Sequence, residues 1–120
     1  MKRSDVEAWV TRYRRAWESN DPDEIASLFA PDAEYATSPD ATPWSGATEI
    51  VSRWLERRDE PGETEFRFDV IAVDGDLAVV RGWTSYRTTP QRRYHNLWLV
   101  TLDEHLRCRS FVEWWVDQPH

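Results

Sequence analysis

The chain has 120 residues, enough for one domain with a sizeable core but too few for two. Its formal net charge of −7 argues against nucleic-acid binding, which usually depends on a basic surface patch. No apolar stretch reaches the length of a membrane span, and the opening Met1-Lys2-Arg3 is not followed by the apolar run of a signal peptide, so we expect a cytoplasmic protein with no membrane partner.

The first half of the chain has the hydrophobic period of helices. A helix is predicted from about Ser4 to Ser19, with a buried stripe of Val6, Trp9, Val10, Tyr13 and Trp17. Asp21 as the cap and Pro22 at the first helical position predict a second helix, whose buried side is Ile25, Leu28 and Phe29. A third helix is predicted from about Ala47 to Arg58, with an inward stripe of Ile50, Val51, Trp54 and Leu55.

Strands are predicted for most of the remaining chain. A short strand over 33–37 leads into an irregular loop over 38–46, and after residue 62 the pattern predicts four strands, near 64–73, 77–88, 93–102 and 106–116. The links between these four are short, which predicts an antiparallel meander: Asp74-Gly75, Thr89-Pro90-Gln91 and Asp103-Glu104-His105. We therefore predict an α+β fold in which three N-terminal helices cover the concave face of a cone-shaped, curved antiparallel sheet, made of a short first strand and the four-stranded meander.

Both faces of the last predicted hairpin are apolar. Alternation places Phe111, Glu113 and Trp115 on one face of the final strand and the residues between them on the other. The outer face carries Trp83, Leu97, Leu99 and Trp114. Because the helices can cover only one face, we expect a homodimer through the outer sheet face. Two other interpretations of this outer face remain open: an exposed apolar patch without a partner, and a docking surface for another protein.

The sequence carries no motif for a metal or a cofactor, and we expect neither. Cys108 is the only cysteine, which excludes an intrachain disulfide. The three His residues lack the close pairing of a zinc site, and no Gly-rich phosphate loop occurs. The eight Trp residues are an unusually high number, and such rings serve a core, a subunit interface or a ligand pocket.

Characteristic segments run through nearly the whole chain. They are Tyr13-Arg14-Arg15-Ala16-Trp17, Asn20-Asp21-Pro22-Asp23, Leu28-Phe29-Ala30-Pro31-Asp32-Ala33, Pro43-Trp44-Ser45-Gly46, Val73-Asp74-Gly75-Asp76 and Arg107-Cys108-Arg109-Ser110-Phe111-Val112-Glu113-Trp114-Trp115. In the predicted element order they resemble the nuclear-transport-factor-2-like superfamily, and the last one resembles its SnoaL-like bacterial members. The resemblance implies a single SnoaL-like domain over residues 1–120, shaped as a cone with a hydrophobic pocket inside. The superfamily includes ketosteroid isomerase, limonene epoxide hydrolase, scytalone dehydratase, polyketide cyclases and proteins without catalysis, so the fold leaves the function open.

The resemblance to ketosteroid isomerase can be tested residue by residue. That chemistry needs a carboxylate base and an oxyanion hole formed by a tyrosine and a protonated aspartic acid. Tyr13 falls on the oxyanion tyrosine of the family, but the base falls near Thr37 and the protonated acid near Asn96 or Trp98. Neither carboxylate is present, so we do not expect steroid isomerisation by that mechanism.

Glu113 is the strongest candidate for a catalytic group. Its face of the final strand should look into the cone, between two aromatic rings. A carboxylate there loses solvation, its pKa rises, and it becomes useful as a proton carrier near neutral pH. A purely structural role, through a pair with Arg109 or Arg81 or a hydrogen bond to Tyr13, remains open.

We predict a pocket for an apolar, oxygenated small molecule, in which Glu113 moves a proton while Tyr13 and Asn96 polarise an oxygen. The ligand-binding wall is predicted to consist of Trp17, Thr37, Trp54, Tyr86, Trp98, Phe111 and Trp115. Alternation places His95 on the opposite face from Asn96, and Asp40 has the position of a solvated turn residue. The expected reaction is an isomerisation, dehydration, cyclisation or hydrolysis without a cofactor, and the alternative is a non-catalytic binding or association module.

Overall fold

The computed structural model describes residues 1–58, 62, 64–87 and 92–117. In chain order the elements are α1 (Arg3–Ser19), α2 (Pro22–Ser27), β1 (Phe29–Ala36), β2 (Trp44–Ser45), α3 (Ala47–Glu56), β3 (Thr64–Asp74), β4 (Leu77–Tyr86), β5 (Arg92–Leu102) and β6 (Cys108–Asp117). The six strands within the described ranges form one curved, unclosed sheet in the order β2-β1-β6-β5-β4-β3. The predicted α+β architecture, with three N-terminal helices and a four-stranded meander, is confirmed.

The helices begin and end near the residues that the sequence indicates. Asn20 ends α1 in the left-handed conformation, with φ 53°, and its N–H donates to the carbonyl of Ala16. Asp21 caps α2 as predicted, because its Oδ1 accepts the backbone N–H of Asp23 at 2.8 Å. The second helix is shorter than expected, since Phe29 leaves it to start β1.

The sheet differs from the predicted one at its first two strands. β3, β4, β5 and β6 pair antiparallel in sequence, but β1 pairs parallel with β6, with Tyr35 opposite Phe111. β1 is also longer than the predicted strand, because the ladder shifts register between Phe29 and Glu34 and so accommodates the intervening Pro31. Trp44, expected in a loop, forms the two-residue β2 against β1. The predicted Thr89-Pro90-Gln91 turn lies outside the described residues.

Aromatic rings fill the space between α1 and the concave face of the sheet. Trp9, Trp98 and Phe111 are fully buried there, and the Trp9 indole N–H is satisfied by the Leu28 carbonyl at 3.1 Å. Gly82 of β4 makes room for this layer, since a Cβ there would lie 2.6 Å from Cε1 of Phe66. The missing side chain therefore lets the Phe66 ring lie over β4 on the concave face, where it stacks on Trp98.

The outer face of the sheet remains partly exposed. Trp114 is 50% exposed, and Leu97 and Leu99 are half-buried. Trp83 lies under two guanidinium groups, with the Arg81 Cζ 4.9 Å from its ring centroid. Across the ranges the structure describes, no helix has the length and apolar character needed to cross a membrane.

Candidate functional site

A cavity of about 730 Å³ opens between the helices and the concave face of the sheet. Cavities of this size accommodate drug-sized molecules. Six of the seven predicted wall residues line it: Trp17, Thr37, Trp54, Tyr86, Trp98 and Trp115. The three predicted catalytic residues line it as well: Tyr13, Asn96 and Glu113.

Glu113 reaches the cavity from the middle of β6. Its Oε2 accepts two hydrogen bonds from β5, from the Trp98 indole N–H at 2.8 Å and from Asn96 Nδ2 at 3.0 Å. The register explains the first, because Trp98 lies directly opposite Glu113 in the β5–β6 ladder. Burial raises the pKa of Glu113, and the two N–H donors offset that rise only in part.

No cation of the described residues neutralises this carboxylate. Both arginines that could have paired with it bind other acids: Arg109 contacts Asp76 at 2.6 Å, and Arg81 contacts Asp69 at 3.6 Å. Both of these pairs are solvent-exposed. Glu113 is therefore a desolvated acid without a counter-ion among the described side chains, which is the setting that suits a proton carrier.

Asn96 holds Glu113 in place. Its Oδ1 accepts the Thr84 hydroxyl at 2.6 Å, and its Nδ2 donates to Glu113. These two bonds fix the orientation of the Asn96 side-chain amide, because the carboxylate of Glu113 can bind only its nitrogen, which is the donor. Asn96 thus lines the cavity and positions Glu113, and its predicted role in polarising a ligand oxygen stays a prediction.

Tyr13 forms a hydroxyl pair with Tyr35, a cavity residue that the sequence analysis did not single out. The two phenolic oxygens lie 2.7 Å apart, and both side chains are buried. Burial is the largest cause that raises the pKa of each phenol well above its usual range, and the negative charge of Glu113 adds to it. One hydroxyl donates to the other, so the accepting hydroxyl does not use its own proton in this bond.

The position of Tyr35 follows from β1. It stacks between Trp44 of β2 and Phe111 of β6, with ring centroids 4.9 and 4.4 Å away. Alternation within the predicted strand over 33–37 places Tyr35 on the same face as Thr37, which was predicted to line the cavity. The sequence therefore carried a signal for Tyr35, two residues before Thr37.

Phe111 was expected on the cavity wall and instead lies behind it. It is fully buried, stacked on Tyr13 with centroids 5.6 Å apart and on Tyr35. It faces inward as alternation predicts, but the two tyrosine rings cover it. Phe111 therefore packs behind the cavity lining and is not part of it.

The remaining candidates lie away from the cavity. His95 is exposed on β5, on the outer face opposite Trp83, as alternation predicts. Asp40 is exposed in the loop before β2. The Cys108 thiol is buried, and burial raises its pKa. Within the described ranges, no three His, Cys, Asp or Glu residues come together to hold a metal ion.

Three solved structures share this fold at low sequence identity. An NTF-2-like protein of unknown function from Burkholderia xenovorans LB400 superposes with a TM-score of 0.77 at 13% identity, covering 100% of this chain and 89% of that one. A proposed ketosteroid isomerase from Kribbella flavida DSM 17836 gives 0.72 at 15%, covering 98% and 82%. An LEH-like epoxide hydrolase from M. tuberculosis gives 0.70 at 12%, covering 94% and 84%. At such identities the likeness establishes the fold alone.

The amino-acid sequence identifies the family. No curated protein matches the chain. The family model described as the SnoaL-like domain matches residues 10–110, from the middle of α1 into β6. The matched region contains the tyrosine pair and the residues that hold Glu113, and on this match the chain belongs to the SnoaL-like domain family.

Proposed function

We propose that the cavity binds an apolar, oxygenated small molecule and that Glu113 transfers a proton on it without a cofactor. The observation that carries this proposal is a carboxylate that lines an aromatic cavity with two N–H donors on one oxygen and no counter-ion among the described residues. The reaction class is an isomerisation, dehydration or cyclisation through an enol, and a hydrolysis fits the same acid and donors. The epoxide hydrolase and proposed isomerase among the similar structures support a ligand of this kind.

The geometry of Glu113 suits a base. Trp98 and Asn96 both donate to Oε2, and no described residue donates to Oε1. The side chain is thus held in one orientation while one carboxylate oxygen stays available to a ligand. Because burial raises its pKa, the carboxyl also releases a captured proton less readily to water than an exposed glutamate would.

The tyrosine pair supplies the complementary function. When Glu113 removes a proton from the carbon next to a carbonyl, negative charge develops on the carbonyl oxygen. The accepting hydroxyl of the Tyr13–Tyr35 pair donates its own O–H to that oxygen. The high pKa of both phenols keeps them protonated. Glu113 then returns the proton to another carbon, which completes an isomerisation, or to a departing hydroxyl, which completes a dehydration.

Deuterium exchange tests proton transfer without knowledge of the natural ligand. The protein is incubated in D₂O with 2-tetralone, an apolar bicyclic ketone, and exchange next to the carbonyl is followed by NMR. We expect Glu113→Gln to slow enzyme-dependent exchange by about 10²–10⁴-fold, which is the usual contribution of a general base. Tyr35→Phe should slow it less, since Tyr13 still carries a hydroxyl. Glu34→Gln, which removes an exposed carboxylate from β1, is the matched control.

The alternative function is binding without turnover. The hydrogen bonds from Trp98 and Asn96 favour it in one respect, because they also give Glu113 a structural role in joining β5 to β6. Binding of 2-tetralone by calorimetry, with exchange no faster than in buffer or unaffected by Glu113→Gln, would contradict the catalytic proposal and support a binding module.

We also propose that the outer sheet face pairs with a second copy of the chain. An apolar strip crosses β4, β5 and β6 there, with Leu99 between Val79 and Val112 in the ladder and Leu97 next to Trp114. Half of the Trp114 side chain is exposed in the single chain. Light scattering should show twice the chain mass, and Trp114→Glu should halve it. A wild-type monomer would contradict the dimer and leave the strip as a docking surface for a different protein.

A further inference from the structure

Three arginines line the cavity, although the chain as a whole is acidic. Arg57 and Arg58 follow the end of α3, and Arg92 begins β5, so the cavity brings together cations from two distant segments of the chain. All three are exposed to solvent. Across the whole chain, 22 acidic residues outnumber 15 basic ones, yet Glu113 is the only acid among the described lining residues.

These cations lack carboxylate partners within the described ranges, whereas several arginines elsewhere have one. Arg14 and Arg87, for example, contact Glu18 and Glu65 on the outside of the molecule. No such pair joins Arg57, Arg58 or Arg92 to an acid of the described ranges. Their charge is therefore available to a ligand that enters the cavity.

Arg57 is tied to the wall that carries the tyrosine pair. Its guanidinium lies 5.7 Å from the ring centroid of Trp44, and Trp44 stacks on Tyr35 at 4.9 Å. A guanidinium that rests on an aromatic face is pre-oriented, so it loses less side-chain entropy when it binds an anion. A continuous series of contacts along the cavity wall thus runs from Arg57 through Trp44 to Tyr35.

The cavity lining carries charges of both signs at different depths. Glu113 is half-buried, and its carboxylate would repel an anion beside it. The three arginines are exposed, and their guanidinium groups attract an anion and are suited to bind a carboxylate through two parallel hydrogen bonds. The aromatic rings of the same lining favour an apolar body over a charged one.

From this arrangement we infer that the ligand is itself an anion, an apolar ring compound that carries a carboxylate bound at Arg57, Arg58 and Arg92. Its ring system lies among the tryptophans, with its reactive oxygen toward the tyrosine pair and Glu113. The inference rests on the proposed small-molecule cavity and adds both the charge of the ligand and its orientation.

A matched pair of probes tests the charge. 2-Naphthoate and the neutral ketone 2-acetonaphthone have nearly the same shape and differ in the anionic group. Isothermal titration calorimetry should show that naphthoate binds about tenfold more tightly, the equivalent of about 1.4 kcal/mol. Added salt should weaken the binding of naphthoate more than that of the ketone, because the guanidinium groups are exposed.

Single substitutions locate the anion. Arg92→Gln and Arg57→Gln should each lower the affinity for naphthoate severalfold more than the affinity for acetonaphthone. Arg15→Gln, an exposed arginine of α1 outside the cavity lining, makes the same change in net charge and should leave the preference intact. Urea unfolding of each variant shows that the fold is retained, as expected for exposed side chains.

Three outcomes overturn the inference: equal affinity for both probes, a preference that Arg15→Gln abolishes as strongly as Arg92→Gln, or no binding of either probe up to its solubility limit. The outcome is separable from that of the proposed proton transfer. A naphthoate preference without deuterium exchange in 2-tetralone removes the catalytic proposal alone. Exchange that depends on Glu113, without any preference for the anion, removes this inference alone.

Discussion

The burial of Glu113 predicts that the fold loses stability as this carboxyl ionises. Burial raises the pKa of Glu113, while the N–H groups of Trp98 and Asn96 lower it by less. A carboxyl with a higher pKa in the folded chain than in the unfolded chain binds its proton more tightly when folded. The free energy of unfolding therefore falls as pH rises from the ordinary glutamate pKa of about 4.3 through the folded value.

Glu113→Gln should remove this fall in the free energy of unfolding. The amide oxygen accepts the same two N–H groups, although a neutral acceptor gives up roughly 1 kcal/mol in each charge-assisted hydrogen bond. The substitution also removes the desolvation of a carboxylate, which is the larger effect because the pKa is raised and not lowered. We expect the variant to be more stable at neutral pH by an amount on the order of 1 kcal/mol. Toward pH 4 the carboxyl takes up its proton, so the difference should shrink.

Urea unfolding between about pH 4 and pH 8 measures this difference, since one pKa unit corresponds to about 1.4 kcal/mol. Glu34→Gln removes the same charge from an exposed site and shows how much of any change comes from net charge alone. A difference between wild type and Glu113→Gln that does not change with pH would refute the reasoning. So would a wild type that gains stability over the variant as pH rises.

Three further predictions concern the packing and the hydrogen bonds around the cavity. Gly82→Ala should destabilise the fold by about 1–3 kcal/mol in urea unfolding, because its Cβ meets the Phe66 ring at 2.6 Å, and Phe66→Leu in the same chain should relieve the effect; equal losses in both backgrounds would contradict the clash. Phe111→Ala should lower the free energy of unfolding by about 3–5 kcal/mol, since the ring is fully buried; a loss below about 1 kcal/mol would show that the core does not depend on it. Thr84→Val should cost about 1–3 kcal/mol by leaving Asn96 Oδ1 buried without its donor, and Thr84→Ser, which keeps the hydroxyl, should cost clearly less.

Local sequence patterns were sufficient for most of the fold. Helical spacing, the Asp21 cap and short strand links predicted the element order, because they reflect interactions between residues close in the chain. The parallel pairing of β1 with β6 was not predictable in this way. It joins Tyr35 to Phe111, which are far apart in sequence, and nothing in the local pattern of either strand states the direction of its partner.

The candidate site was likewise predictable from local patterns only in part. Alternation alone placed Glu113 on the inward face of β6, and it placed His95 outside. Alternation assigns a side chain to a face of the sheet but does not show whether other side chains cover it. It therefore could not predict that Phe111 lies behind the tyrosine rings. Nor could it identify the hydrogen bonds of Asn96, because both of its partners come from other strands.

The sequence by itself therefore determined the elements, the faces of the strands and the presence of an acid among aromatic rings, since each depends on spacing along the chain. Only the tertiary structure decided which side chains share the cavity: the Tyr13–Tyr35 pair, the donors that hold Glu113, and the arginines at the end of α3 and the start of β5. The physical reason is that these contacts join distant segments, and their distances are set by sheet register and helix packing instead of by local periodicity.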